Sequence, residues 1–410
     1  MCKILKNKSF LLVMLSLLFL STSLFATKES YKELWEEVQK SEKKGLPKTT
    51  LKIVEQIYEK AKKENNASQF VKAVIHKMKF SVQVEEFSDI KIINNLREEV
   101  VDSKFPIKPV LHSILADSYW QYFERNRWKF YDRTETVNFQ QDDISTWDLK
   151  TISKETIKHF QLSLQNPEEL KKISLDTYSE IISIGNTRHL RPTLYDFLGH
   201  RAVDFYINTE PGLIKPAYEF KISDTSYFQP AEEFVNLKIV TQDSLSTEFN
   251  ALLILQDLIK FHLKDDKPDA LIDVDLKRLK FVYNKSVVEN KDELFETTLL
   301  NLKKKYEQSP ASAEISYELA NLYFQLGHNY NPQFSEDYRW YFKKAFDLCQ
   351  ETIKRFPGTF GAENCEYLIS YITEKSISLQ TEKVNLPKKL SLGLLSYKNV
   401  NEFYFRVVKF

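Results

Sequence analysis

Apolar residues recur at helical spacing along most of this chain. The clearest case follows Pro47, where one helical face carries Leu51, Val54, Ile57, Tyr58 and Ala61. Comparable segments lie on both sides of it, and only short breaks separate them. An apolar stripe of this kind predicts amphipathic helices, and short linkers between such helices predict stacked helical hairpins. The pattern also predicts a helix from Pro167 to Ile182 and a less regular stretch from 208 to 244, with a small hairpin around Tyr218 to Ile222.

The period changes near Lys375, and from Ser376 onward apolar and polar residues alternate. Alternation with a period of two predicts strands, which we place at 376–384, 390–397 and 403–410. Two or three strands alone do not bury a sheet face. Either this short sheet folds back onto the helices, or it leads into further β structure.

A repeat is visible in the last helical part. Leu319, Ala320 and Tyr323 are followed by Ala345 and then by Pro357, as in the tetratricopeptide (TPR) pattern, whose small residues let paired helices approach closely. The spacing from Ala345 to Pro357 fits, but the interval before Ala345 is longer than in that family. With helix pairs on either side, the repeat predicts a mostly α fold built as a TPR-like α-solenoid.

These patterns divide the chain into five parts. We predict a signal peptide over 1–26, a helical-hairpin region over 27–207 and an irregular connection over 208–244. A second, TPR-like helical region follows over 245–375, and a β-strand segment over 376–410.

The first 26 residues have the layout of a secretory signal. Three lysines precede an apolar core from Phe10 to Leu20, and small residues follow it. We expect cleavage between Ala26 and Thr27; cleavage after Ser23 and an uncleaved anchor are the alternatives. The mature chain carries no other long apolar run, so we expect an exported protein without a membrane span. Periplasm, cell surface and extracellular medium stay open, as does the oligomeric state.

Composition narrows the chemistry. Only 8 of 410 residues are glycine, which favours helices and disfavours phosphate-binding loops. The net charge of +1 gives no general attraction to nucleic acid. The histidines are scattered, no nucleophile motif is present, and the acidic stretch from Asp265 to Asp275 lacks the glycine of a calcium loop. We therefore expect no catalytic residue, no cofactor and no metal, and interpret those acids as charge at a helix start.

Two sets of residues are candidates for contact or covalent roles. From Tyr119 to Tyr131 aromatic and basic residues interleave, and Trp120, Arg125, Arg127 and Trp128 form a candidate surface for a glycan or a protein. The alternative is packing of these rings between helices. Cys349 and Cys365 form a candidate disulfide in an oxidising compartment, and the alternative is two small buried apolar residues.

Six longer stretches of the chain are distinctive: YKELWEEVQKSEKKGLPKTTLKIVEQIYEKAKKE, YWQYFERNRWKFYDRTE, RPTLYDFLGHRAVDFY, ANLYFQLG, KKAFDLCQETIKRFPGTFGAENC and VNLPKKLSLGLLSYKNVNEFYFRVVKF. Together they resemble the N-terminal region of the large secreted alpha-2-macroglobulin-like proteins of Bacteroidetes-type bacteria. The resemblance implies a helical leader ahead of macroglobulin β-sandwich domains. It also implies endopeptidase inhibition by protease trapping, and envelope defence, for the full-length protein. The implied partners are proteins, either target proteases or envelope components.

The chain also differs from members of that family at its cysteines. Neither Cys349 nor Cys365 stands in the Cys-Leu-Glu-Gln motif of thioester-containing members. The resemblance therefore implies a non-catalytic role for these residues. The rival interpretation is a stand-alone exported module with a TPR-like face that binds a protein or a glycan.

Overall fold

The computed structural model describes residues 30–84, 88–131, 142–182, 185, 187–208, 218–384, 389–406 and 408. Within these residues the protein is mostly helical, and it ends in a short antiparallel sheet of two strands. The chain divides into two compact units. Unit 1 runs to Arg188 and includes Pro192–Arg201; unit 2 comprises His189–Arg191 and Ala202–Phe410, so far as these residues are described.

Unit 1 contains the first eight α-helices of the described residues, the last of which extends to Asn208. They are α1, Tyr31–Lys43; α2, Pro47–Glu64; α3, Ala67–Val84; α4, Ser88–Asp102; α5, Ile107–Tyr131; α6, Leu149–Ser163; α7, Pro167–Leu170; and α8, Leu194–Asn208. Short 3-10 helices lie at Ile144–Thr146, Leu175–Tyr178 and Arg188–Leu190.

The helix ends of unit 1 follow from local sequence. At the start of α1 the backbone N–H of Glu33 donates to Ser30 Oγ, while Ser30 N donates to the Glu33 carboxylate at 2.7 Å. This capping box satisfies two amides that a helix start leaves without partners. Helix α2 starts with Pro47 and ends before Asn65, whose positive φ of 52° closes the helix. Sequence signals thus fix where these helices begin and end.

The core of unit 1 forms where α2 packs on α3 and where α5 packs on α6. Val54, Ile57 and Ala61 are fully buried on α2, at the positions of the apolar stripe in the sequence. Trp35 is also buried, and its indole N–H donates to Gln69 Oε1 at 2.7 Å, so its polar atom is satisfied inside the core.

Unit 2 contains seven further α-helices and both strands of the described residues. They are α9, Ala231–Phe234; α10, Thr247–His262; α11, Asp269–Lys285; α12, Lys291–Lys305; α13, Ser312–Gly327; α14, Tyr341–Arg355; α15, Phe360–Thr373; β1, Ser376–Thr381; and β2, Gly393–Lys398. A 3-10 helix lies at Thr225–Phe228.

The last three helices pack on one another, and a glycine sets the approach of two of them. A methyl group added at Gly361 on α15 would lie 2.3 Å from the carbonyl carbon of Ala313 on α13. No side chain fits at that distance, so the contact requires glycine. Ala345 and Cys349, both fully buried on α14, complete the close packing.

An arginine inside unit 2 fixes the irregular segment that follows residue 218. Arg278 on α11 is fully buried; its Nε donates to Asp275 Oδ1 at 2.9 Å, and its Nη1 donates to the carbonyls of Tyr227 and Gln229. The guanidinium also lies 4.6 Å from the centre of the Phe234 ring. A buried charge is tolerated when it is paired and its donors are satisfied, and here those partners hold a loop in place.

The two strands pair antiparallel with a regular register. Ile377 lies opposite Tyr397, and Leu379 lies opposite Leu395. Because directly opposed residues share a face, these four side chains occupy one face of the sheet. The opposite face carries Ser376, Ser378, Gln380, Leu394, Ser396 and Lys398. The sheet therefore has one apolar and one mostly polar face.

The predicted strands and one predicted helix need correction. No strand forms at 403–406 or 408, so the third strand is wrong for the described residues. The other two strands are shorter than predicted. The segment 167–182 holds one helical turn and a 3-10 helix instead of a long helix, and residues 218–222 form no hairpin. In each case apolar residues recur at suitable spacing, but spacing alone does not ensure a long helix or a paired strand, because most of the stability of an element comes from tertiary packing.

Candidate functional site

The aromatic and basic segment of α5 is largely internal. Tyr119, Tyr122, Phe123 and Phe130 are buried in unit 1. Tyr122 and Phe123 both meet Phe130 edge to face, at 6.2 and 5.7 Å between ring centres. Such pairs stabilise a core beyond the area that they bury. These rings contribute to folding and are not available to a ligand at the surface.

The four candidate contact residues of that segment are spread over different environments. Arg125 pairs with Asp89 at 3.1 Å, and Arg127 binds the Glu124 carboxylate at 2.8 Å. The half-buried Trp120 lies 4.8 Å from the Phe123 ring. Trp128 alone among the four is a large apolar side chain facing outward, with 70% of its surface exposed. The structure thus leaves one exposed ring where the sequence suggested a surface of four residues.

The two cysteines are close together and fully buried, between α14 and α15. Both are free thiols in the structure. A hydrogen bond that the Cys349 thiol donates to Cys365, together with burial, raises the pKa of Cys349 far above its usual range. The thiolate is the nucleophilic form, so Cys349 is a poor nucleophile at neutral pH.

The acidic stretch 265–275 has structural partners. Asp265 lies 2.7 Å from His262, Asp273 lies 3.3 Å from Arg191, and Asp275 binds the buried Arg278. Helix α11 begins at Asp269, as the interpretation of these acids as a charged helix start requires. Among the residues that the structure describes, no group of three or more potential metal ligands is present.

The apolar face of the terminal sheet lies open. Ile377, Leu379 and Tyr397 are 52%, 59% and 64% exposed, and Leu395 is half-buried. An antiparallel sheet normally packs its apolar face on a core and leaves the polar face to water. Here the side chains that should be covered face solvent.

The sheet is held at the end of α15. Lys398 Nζ donates to the carbonyl of Tyr371 at 2.7 Å, and Asn399 Nδ2 donates to those of Ile372 and Glu374 at 2.7 and 3.0 Å. These groups satisfy carbonyls that a helix end leaves without partners, and the positive charge suits that end. The hairpin is therefore oriented relative to α15.

An exposed aromatic row runs along α15 itself. Phe360, Tyr367 and Tyr371 are separated by seven and four positions, and all three are exposed. At 3.6 residues per turn these positions fall on one side of a helix. The last helix of unit 2 thus presents a continuous aromatic stripe to solvent.

Unit 1 contains a cavity of about 320 Å³. Its walls come from α3, α5, the start of α8, and the 3-10 helix Leu175–Tyr178 with the residues that follow it. Most of the lining is apolar, including Ile75, Met78 and Ile114. Pockets of this size and character are typical of small-molecule sites.

The polar groups of the cavity are few, and two of them, Arg201 and Asp117, form an ion pair whose side chains are 37% and 51% exposed. Arg201 Nε donates to Ser113 Oγ at 3.1 Å, and Arg201 Nη2 lies 3.7 Å from Asp117 Oδ2. Tyr178 also lines the cavity, and its buried hydroxyl has no hydrogen-bond partner among the described residues. Desolvation of this hydroxyl raises the pKa of Tyr178 to about 12. Nothing in the sequence pattern pointed to this cavity, because its residues come from segments far apart in the chain.

A buried pair of histidines could not be predicted from the sequence either. His112 on α5 and His159 on α6 are both buried, and their Nδ1 atoms lie 2.8 Å apart. Burial, followed by the charges of Lys108 and Lys158, lowers the pKa of His112 to about 4. Burial and then His112 lower the pKa of His159 to about 3. Both rings are therefore neutral at physiological pH.

The predicted cleavage site at Ala26 and Thr27 lies outside the described residues. Within the described ranges, none of the helices combines the length and apolar character that crossing a bilayer requires.

Comparison with known proteins gives no relatives. None of the known protein-family models matches the chain, and none of the curated proteins is similar to it at a significant level.

Proposed function

We propose that this chain is the non-catalytic helical part of an exported alpha-2-macroglobulin-like protein, in which the β1–β2 hairpin joins a β-sandwich domain. The observation that carries the proposal is the uncovered apolar face formed by Ile377, Leu379, Leu395 and Tyr397. Full burial of one large apolar side chain stabilises by about 1.5 to 3 kcal/mol. Covering this face with a second sheet is therefore strongly favourable.

The position of the hairpin supports the same role. Because Lys398 and Asn399 tie it to the end of α15, the apolar face is presented in a defined direction rather than on a loose tail. A β-sandwich needs such a fixed edge, since its two sheets pack with their strands nearly aligned. The helices would then act as a support that orients the first β-domain.

For unit 2 we propose a TPR-like arrangement of its last helices. The mutual packing of α13, α14 and α15, and the close approach at Gly361, support this assignment. In such arrays each helix pair buries its apolar face against the next pair. The aromatic row of Phe360, Tyr367 and Tyr371 is then the face that the next element of the protein covers.

The implied activity of the full-length protein is endopeptidase inhibition, in the envelope or outside the cell. The resemblance of the sequence to that family supports it. A trapping inhibitor protects large protein substrates by enclosing the protease, so the helical part alone has no means to do so.

The test compares the 410-residue chain with the complete polypeptide secreted by the native cell. Trypsin is mixed with each protein, and the cleavage of casein is followed over time. We expect protection of casein by the complete polypeptide and none by the 410-residue chain. Equal protection by the two would overturn the division of roles, and no protection by either would overturn the inhibitor assignment.

A stand-alone protein-binding module is the second candidate, favoured by the exposed aromatic row on α15. The native gene distinguishes the two. An open reading frame that continues past Phe410 with alternating strands supports the first candidate, and a stop codon directly after Phe410 supports the second.

A further inference from the structure

We infer that the cavity of unit 1 is a binding site for a small apolar molecule with one neutral polar end, such as an amide or an alcohol. The site lies between α3, α5 and α8 and does not depend on the function proposed for the hairpin. Its size, its lining and its pattern of polar groups each limit what it can bind.

Size sets the length of the ligand. A cavity of about 150 Å³ in a protein core holds benzene, and this one measures about 320 Å³. A ligand of about 10 to 12 non-hydrogen atoms therefore fits. Ile75, Met78 and Ile114 would contact its hydrocarbon part, and removal of apolar surface from water would drive binding.

Charge sets the nature of the polar end. The side chains of Arg201 and Asp117 stand 3.7 Å apart and together have no net charge. A carboxylate here gains Arg201 but meets Asp117, and an ammonium group gains Asp117 but meets Arg201. An amide suits both, because its carbonyl accepts from Arg201 and its N–H donates to Asp117.

A buried donor strengthens this choice. The hydroxyl of Tyr178 is shielded from water and makes no hydrogen bond within the part of the chain that the structure describes. An unmade hydrogen bond of a buried group is costly, and a ligand acceptor that reaches it recovers that loss. Since a carbonyl has two lone pairs, one amide can serve both Arg201 and Tyr178.

We place the entrance at Ile75 on α3, one of the lining residues that reach the surface, as Asp117 and Arg201 also do. Ile75 is 39% exposed and also borders a neighbouring cavity of about 310 Å³, which shares Met78, Asp117 and Ser118 with the first. Because Ile75 is partly exposed, a larger side chain can be placed there without disturbing the buried core. A larger side chain at Ile75 can therefore block access to the cavity.

The experiment titrates the full chain by calorimetry with three ligands of the same chain length: octanamide, octanoate and octylammonium. We expect octanamide to bind at least fivefold more tightly than either ion. Equal or tighter binding of an ion would overturn the neutral-end assignment, and no detectable binding of octanamide would overturn the site.

Two matched variants locate the site. Ile75→Trp should weaken octanamide binding at least tenfold, because the indole fills the entrance. Val101→Trp is the control: Val101 is an exposed residue of α4 that does not line the cavity, so binding should be unchanged. Equal effects of both substitutions, or no effect of Ile75→Trp, would place the ligand elsewhere and overturn the proposal. Circular dichroism confirms that both variants are folded.

Discussion

The two histidines of unit 1 can share only one proton between their facing Nδ1 atoms. With 2.8 Å between the Nδ1 atoms of His112 and His159, one nitrogen donates and the other must accept. Protonating the acceptor would place two N–H groups against each other in a buried site. Lys108, Lys158 and Arg97 add positive potential to that site. The clash of two N–H groups and the nearby positive charges lower the pKa of both rings, as burial does, and keep the pair neutral.

Stability should therefore fall in mild acid. Below about pH 6.5 the unfolded chain takes up protons on these histidines, whereas the folded chain takes them up only near pH 4 and below. The free energy of unfolding is thus unaffected above about pH 7 and decreases as the pH falls. We expect the two histidines to contribute a loss of about 2 to 3 kcal/mol between pH 7.5 and pH 5.5, measured by urea unfolding as the difference in pH dependence between the native chain and a variant that lacks both rings. Glu314 acts in the opposite direction over this range, because burial raises its pKa to about 7 and the folded chain takes up that proton before the unfolded chain does.

The double variant His112→Met, His159→Met should lose most of this pH dependence, whatever its stability at pH 7.5. A smaller dependence remains from His76, whose pKa burial also lowers. His328→Gln serves as the control, because His328 is exposed. The interpretation is wrong if the native chain and the double variant show the same change in unfolding free energy between the two pH values.

At the scale of elements, one glycine determines how closely two helices approach. Gly361→Ala would place a methyl group 2.3 Å from the Ala313 carbonyl carbon, so α13 and α15 must move apart. Alanine is the better helix former by about 1 kcal/mol, which on its own would stabilise α15. We expect steric overlap to prevail, with a net loss of about 1 to 3 kcal/mol in the free energy of unfolding.

Chemical denaturation of the full chain measures this loss in the free energy of unfolding. Glu363→Ala, on the exposed side of the same helix, is the matched control. The control should change stability by less than about 0.5 kcal/mol. A stabilised Gly361→Ala variant would mean that helix propensity outweighs the contact, contrary to the packing described above.

Periodicity predicted elements well where an apolar stripe is long and continuous. The stripe of α2, from Val54 to Ala61, appears as its buried face. Periodicity alone predicted too long a helix at 167–182 and a strand at 403–406 that does not form. A helix or strand gains most of its stability from the neighbour that it packs against, and a single sequence does not state which neighbour is present.

The candidate sites show a different limit. Burial of Tyr119, Tyr122, Phe123 and Phe130 follows from helical spacing, which was one of the two interpretations open from sequence. The cavity, the His112–His159 pair and the Asp275–Arg278 anchor depend instead on segments that meet only in the folded chain. The register of β1 and β2 lies between these cases: alternation predicted an amphipathic sheet, but only the structure shows its apolar face uncovered.

At the scale of the whole molecule, that uncovered face should control self-association. Exposed apolar sheet faces and unpaired strand edges associate with one another when their natural cover is missing. We expect the 410-residue chain to form concentration-dependent oligomers, and a shortened chain ending at Lys375 to stay monomeric and more soluble. Sedimentation velocity over a range of concentrations measures both.

Substitutions within the sheet distinguish the effect of its apolar face on association from the effect of added charge. Leu379→Lys with Tyr397→Lys places two charges on the apolar face, and Ser378→Lys with Ser396→Lys places the same two charges on the polar face. Only the first pair should abolish the oligomers, since only it makes the uncovered face hydrophilic. Equal effects of the two pairs would attribute association to net charge. If the chain ending at Lys375 associates as strongly as the full chain, another surface is responsible and the hairpin needs no covering domain.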